Sequence, residues 1–102
     1  MRHRSDVEIV EAAVGGDPAA FEKLFDYYLP RVLAFARSAR EGEQEAADLT
    51  RSILATVFAH LDRYEGRVAL SVWALAVARK VRDATPTEAS APSTPAMPQA
   101  AR

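Results

Sequence analysis

The sequence predicts an all-α protein, a compact bundle of four helices, or five if a break falls at Pro30. Three observations carry this. Apolar residues recur at spacings of three and four throughout residues 5–83, and no segment alternates at the period of two that a strand requires. Glycine- and proline-bearing stretches (Gly15-Gly16, Asp17-Pro18, Gly42, Gly66) divide that pattern into helical lengths. From Ala84 onward, ATPTEASAPSTPAMPQAAR places Pro86, Pro92, Pro95 and Pro98 among small residues. Such a segment neither continues a helix nor buries enough apolar area to offset the entropy of ordering. The expected organisation is a helical domain over 5–83, enough for one core, and a disordered tail over 84–102.

Each element has its own signals. Ser5-Asp6-Val7-Glu8 fits a capping box opening a first helix, which places Ile9, Val10, Ala13 and Val14 on one face and stops at Gly15-Gly16. Asp17-Pro18 restarts the chain with an N-cap side chain followed by a proline at the first helical position. Phe21, Leu24, Phe25 and Tyr28 form a helical stripe expected to be core, and Leu29, Val32, Leu33, Phe35 and Ala36 extend it past Pro30. Because Tyr27 and Tyr28 adjoin, one of them must point outward. Pro30 is too deep to be a first-turn proline and predicts a kink or a division. A third helix, roughly 44–62, carries Ala46, Leu49, Ile53, Val57 and Leu61, with Leu54 and Phe58 on an adjacent stripe. A loop over 63–68 precedes a last helix, roughly 69–83, with Leu70, Trp73, Ala74 and Val77 on one face.

The composition narrows the function. The formal net charge is −1, so no global basic field marks a nucleic-acid binder, yet the charge is uneven. Residues 41–48 hold Glu41, Glu43, Glu45 and Asp48 without a cation, whereas 63–82 hold Arg63, Arg67, Arg79, Lys80 and Arg82 against Glu65 alone. The absence of cysteine excludes a disulfide framework, a thiolate metal site and a cysteine nucleophile. Neither His3 nor His60 has a second ligand at helical metal-binding spacing. No nucleophile–base pair, glycine-rich phosphate loop or paired carboxylate stands out, so neither an enzyme nor a cofactor is expected. No apolar run approaches the length of a membrane span, and the charged start MRHRSDVE lacks the apolar segment of a signal peptide, which points to the cytoplasm.

From Asp6 the order of motifs is specific enough to compare with a known family. Gly16-Asp17 is followed by Ala20-Phe21-Glu22 and Leu24, then by Tyr28 and Pro30. An acidic linker leads to Asp48-Leu49-Thr50, an aromatic-x-glycine loop at Tyr64 and Gly66, and a helix bearing Trp73 and Arg79. This order resembles region two of bacterial extracytoplasmic-function sigma factors over about residues 6–83. In that family the third helix docks on the clamp helices of the RNA polymerase β′ subunit. The loop and last helix melt the promoter −10 element and capture a flipped base. The resemblance thus implies a polymerase- or partner-binding stretch of Asp48, Thr50, Arg51, Ser52 and Ala55. It also implies a DNA-binding side of Arg63, Tyr64, Arg67, Trp73, Arg79 and Lys80. The departures fall on those stretches: the family's Gln-Glu is Arg51-Ser52, its Phe is Leu54, its Leu after the tryptophan is Ala74, and its Asn is Lys80. The family's second DNA-binding domain has no counterpart in this sequence, which reads as a stand-alone, degenerate region two.

Each candidate has a plainer alternative. The cations could track phosphates, or they could be a solvated helix end facing the negative dipole terminus. Trp73 is at a core spacing and Tyr64 is not, so Tyr64 is the better platform for stacking an unpaired base. Arg51 and Ser52 face away from Leu49 and Ile53, as a docking surface of changed specificity or as a drifted face without a partner. The expected function is a non-enzymatic transcription regulator that binds polymerase core, promoter −10 DNA or both. The alternative is a sigma fold repurposed to bind an anti-sigma factor, another regulator or a second copy of itself as a homodimer. A third possibility is a fragment of a longer sigma factor.

Overall fold

The computed structural model describes residues 3–84. Four α-helices follow in order: α1 Arg4–Val14, α2 Pro18–Ala39, α3 Glu43–Ala59 and α4 Leu70–Ala84, with a 3-10 turn at Leu61–Arg63 between the last two. No strand occurs among the described residues. The expected tail lies outside them except for Ala84, which is the last residue of α4 rather than the first of a tail. The third and fourth helices also shift from their expected limits: α3 ends at Ala59, and the sequence tightens into the 3-10 turn before the loop.

The helix boundaries show which local signals governed. At the end of α1, Gly16 adopts φ 100°. The Gly16 amide donates to Ala13 O at 3.1 Å and the Asp17 amide to Ala12 O at 2.9 Å, the paired bonds of a Schellman turn. Asp17 then caps α2 by accepting from the Ala19 amide at 3.0 Å, with Pro18 at the start of the helix. The capping box at Ser5 does not form. Helix α1 starts two residues earlier, at Arg4, and its N-cap His3 makes no side-chain cap. Ser5 is therefore already inside the first turn, and its neighbour Asp6 is engaged elsewhere.

Pro30 does not divide α2, which runs unbroken for 22 residues. The proline is exposed, so water can serve the carbonyl one turn back that loses its N–H donor. The buried residues Leu24, Tyr28, Val32 and Ala36 hold the helix against the core on both sides of it. Helix α2 is the spine of the molecule: it packs against α1 and α3 and touches α4, while α3 packs against α4. Against these α2 residues α3 buries Ala46, Leu49, Ile53, Leu54 and Val57, together with Leu61 beyond it. As expected of the tyrosine pair, Tyr28 is buried and Tyr27 exposed, and Arg31 stacks on the outer Tyr27 ring at 3.6 Å.

The aromatic stripe on α2 departs from expectation. Phe21 is 45% exposed and Phe25 only half-buried. The two rings meet Phe58 of α3, with centroids 4.8 Å and 6.2 Å away, on the outer seam between the helices rather than beneath it.

Candidate functional site

The outward face of α3 carries the first group of expected site residues. Asp48, Arg51 and Ala55 are exposed and Ser52 is half-buried. The Asp48 carboxylate is shared: Gln44 Nε2 donates to its Oδ1 at 2.9 Å and Arg51 Nη1 donates to the same oxygen at 3.1 Å. An ion pair this exposed contributes about 0–1 kcal/mol, so either partner is readily released to another molecule. Thr50 does not belong to this face. It is buried, and its hydroxyl donates to Ala46 O at 2.8 Å. The helical period explains the difference: Thr50 follows Ala46 and precedes Ile53 and Leu54 on the core side, whereas Arg51 falls on the outer side.

The second group is split. Tyr64 is 8% exposed, its hydroxyl donates to Val68 O, and its ring meets Trp73 edge-on with centroids 5.7 Å apart. An open stacking platform at Tyr64 is therefore excluded, because the ring fills the space between the loop and α4. Trp73 is half-buried above it. Arg63, Arg67, Arg79 and Lys80 are all exposed. Arg67 Nε pairs with Glu65 at 3.1 Å, while no ion pair or hydrogen bond engages the side chains of Arg63, Arg79 or Lys80. These cations form two groups rather than one. Arg63 ends the 3-10 turn and Arg67 lies in the loop before α4, whereas Arg79 and Lys80 lie about 14–15 Å along the helix from Leu70 at 1.5 Å per residue. Trp73 and Lys80, seven residues apart, share one side of the helix.

The residue that organises this end of the molecule was missed from sequence. Helix α4 has no acidic residue in its first turn, and Ala69 before it has no side-chain acceptor. Its first amide, Leu70 N, donates instead to Asp6 Oδ2 of α1 at 2.9 Å, across 64 positions of sequence. The His3 amide donates to Gly66 O at 2.8 Å, and Gly66 takes φ 85° in a buried position. Asp6 also lies beside two phenols. Burial pushes the Tyr28 hydroxyl up to about 12, with the Asp6 charge adding to the shift. Burial raises Tyr64 as well, again with Asp6 contributing. No local motif signals such a cap, because its two halves sit at opposite ends of the domain.

Two of the surface depressions are mainly apolar. The larger, about 540 Å³, lies between α2 and α3 and is lined by Phe21, Phe25, Leu29, Leu54 and Phe58, and it adjoins the outer face of α3 at Arg51 and Ala55. A smaller one of about 200 Å³ between α2 and α4 is lined by Tyr28, Arg31, Phe35, Ala74, Leu75 and Ala78. Among the described residues no group of three histidine, cysteine or acidic side chains converges as metal ligands. No helix there is long and apolar enough to cross a membrane.

The family model described as sigma-70 region 2 matches residues 24–82, more than half of the chain. The chain belongs to the sigma-70 region 2 family. No curated protein and no solved structure matches it significantly. The matched span takes in α3, the loop and almost all of α4, and so every expected site residue. Helix α1, with Asp6, lies outside it. Membership identifies the domain with sigma-factor-like transcription regulation, a non-enzymatic role, and the four-helix architecture agrees with the fold that the sequence implied.

Proposed function

We propose that this sigma-70 region 2 protein regulates transcription in the bacterial cytoplasm by binding RNA polymerase core through the outer face of α3, at the β′ clamp helices. The observation that carries this reading is the joint exposure of Asp48, Arg51 and Ala55, with the half-buried Ser52, on one helix face that no other described element covers. Asp48 supplies acceptors, Arg51 a fork of donors, and Ala55 a low surface that lets a partner helix approach closely. The exchange of Gln-Glu for Arg51-Ser52 changes the charge such a partner must present. Promoter −10 single strands are the second ligand of this reading. The two cation groups, one in the loop before α4 and one near its C-terminal end, offer contacts to separate phosphates of one strand. Trp73 is then the ring best placed to meet a base, since Tyr64 is packed away.

Co-purification with core polymerase tests the first half, comparing the native chain with Arg51→Gln/Ser52→Glu. Retention of the native chain supports the reading. Retention of the double variant alone contradicts it. Salt-titrated binding of a −10-like single strand tests the second half, with Arg67→Ala and Lys80→Ala each expected to reduce the salt slope by about one.

One observation favours a second reading, a protein-interaction module without promoter recognition. The α2–α3 groove exposes the rings of Phe21, Phe25 and Phe58, which a helix bearing an apolar stripe would cover, with a carboxylate facing Arg51. Loss of a partner protein on Phe21→Ser, from a native chain that binds no −10-like strand, would establish it. Self-association through this groove would appear instead as a concentration-dependent mass.

A further inference from the structure

We propose that Asp6 is a positioning residue for the loop that carries Arg63 and Arg67 and for the first turn of α4, so that α1 sets the geometry of the basic end. The functional half of this inference rests on the DNA-binding reading above. The loop is poorly held by its own contacts: Glu65, Arg67 and Val68 are exposed, and the buried Tyr64 is its main apolar anchor. Segments with few buried contacts open locally at little cost unless tied from outside. Three ties are present. Tyr64 closes the loop on itself through Val68 O. The other two come from the N-terminal segment, the His3 amide on Gly66 O at 2.8 Å and the Asp6 carboxylate on Leu70 N at 2.9 Å.

The Asp6 bond has two features of a positioning contact. It satisfies the orphan first amide of a helix whose own sequence offers no cap, so the place where α4 begins depends on α1. It also places a negative charge at the positive end of the α4 dipole, next to the Tyr64 ring on which Trp73 packs. Asp6 thus acts on Trp73 through Leu70 and Tyr64, from a helix outside the residues that the family model matches.

The test uses the full chain with Asp6→Ala and Asp6→Asn. The asparagine keeps an oxygen that can accept from Leu70 N but lacks the charge. Amide hydrogen exchange is read at residues 64–73 and, as the internal reference, at Leu49–Val57. Emission of Trp73, the only tryptophan, reports the loop. Affinity for a fluorescent single-stranded DNA 12-mer is measured at two salt concentrations. For Asp6→Ala we expect exchange at 68–73 to rise at least tenfold relative to α3. Trp73 emission should shift to the red, and the Kd for DNA should rise three- to tenfold with an unchanged salt slope, since no cation is removed. Asp6→Asn should recover most of the exchange protection. Exchange that rises equally in α3, or does not rise at all, overturns the proposal. A loosened loop with unchanged DNA affinity overturns its functional half. If the native chain binds no DNA at any salt, the DNA reading fails on its own, while exchange and Trp73 emission still decide the positioning role.

Discussion

Tyr64 lies edge-on to Trp73, ring centroids 5.7 Å apart, and this pair rather than an open aromatic platform joins the loop to α4. Edge-to-face pairs contribute about 0.5–1.5 kcal/mol beyond the apolar area they bury. Tyr64→Ala should therefore cost about 3–4 kcal/mol, measured by denaturant unfolding, and shift Trp73 emission to the red. Tyr64→Phe keeps the ring and loses the hydroxyl's contacts with Val68 O and Asp6, so it should cost about 1 kcal/mol and leave the emission nearly unchanged. Equal costs for the two variants would show that the hydroxyl, not the ring, holds the loop.

Tyr28 makes stability depend on alkaline pH. Burial, assisted by Asp6, raises its hydroxyl from 10.0 to about 12 in the folded protein. The folded state holds the proton more tightly than the unfolded one, so the stability linked to this proton is fully present below pH 10 and is lost as pH rises toward 12. Unfolding free energies measured between pH 8 and 12 should fall over that window. Tyr28→Phe should flatten much of the decline, the remainder belonging to Tyr64, whose hydroxyl is raised in the same direction. A variant that declines in parallel with the native chain would contradict this assignment.

Phe21 and Ile53 should separate surface from core. Ile53 is fully buried in α3, so Ile53→Ala is expected to cost about 2–5 kcal/mol. Phe21 stands 45% exposed in the α2–α3 seam, so Phe21→Ser should cost only about 1 kcal/mol. Chemical denaturation of the two variants checks the order. A cost for Phe21→Ser as large as that for Ile53→Ala would mean that the seam is closed in solution.

The helices were legible because their signals are local. Asp17-Pro18, Gly16 and the apolar spacing of α3 each act within a few residues, and the structure uses them as read. What could not be read is whatever depends on residues brought together from afar. Asp6 was placed in a capping box for α1, whereas its carboxylate caps α4, and nothing near Leu70 announces the need. Tyr64 lacks a helical register, which favours it as a stacking ring on sequence alone, yet Trp73 and the loop bury it. Thr50 was carried over with its neighbours from the family motif, although the period of α3 turns it inward. Pro30 fits within a continuous helix because its missing donor falls on the solvent side. Arg51 is exposed on the side of α3 away from Leu49 and Ile53, as that same period predicts.

The central claim, docking of the α3 face on polymerase, is most directly tested by a photo-activated cross-linker placed at Ala55, an exposed position whose replacement disturbs no core contact. Irradiation with core polymerase should join the chain to the clamp helices of β′, and Arg51→Glu should reduce the yield at least fivefold. No adduct with β′, or a yield that Arg51→Glu leaves unchanged, would contradict the claim.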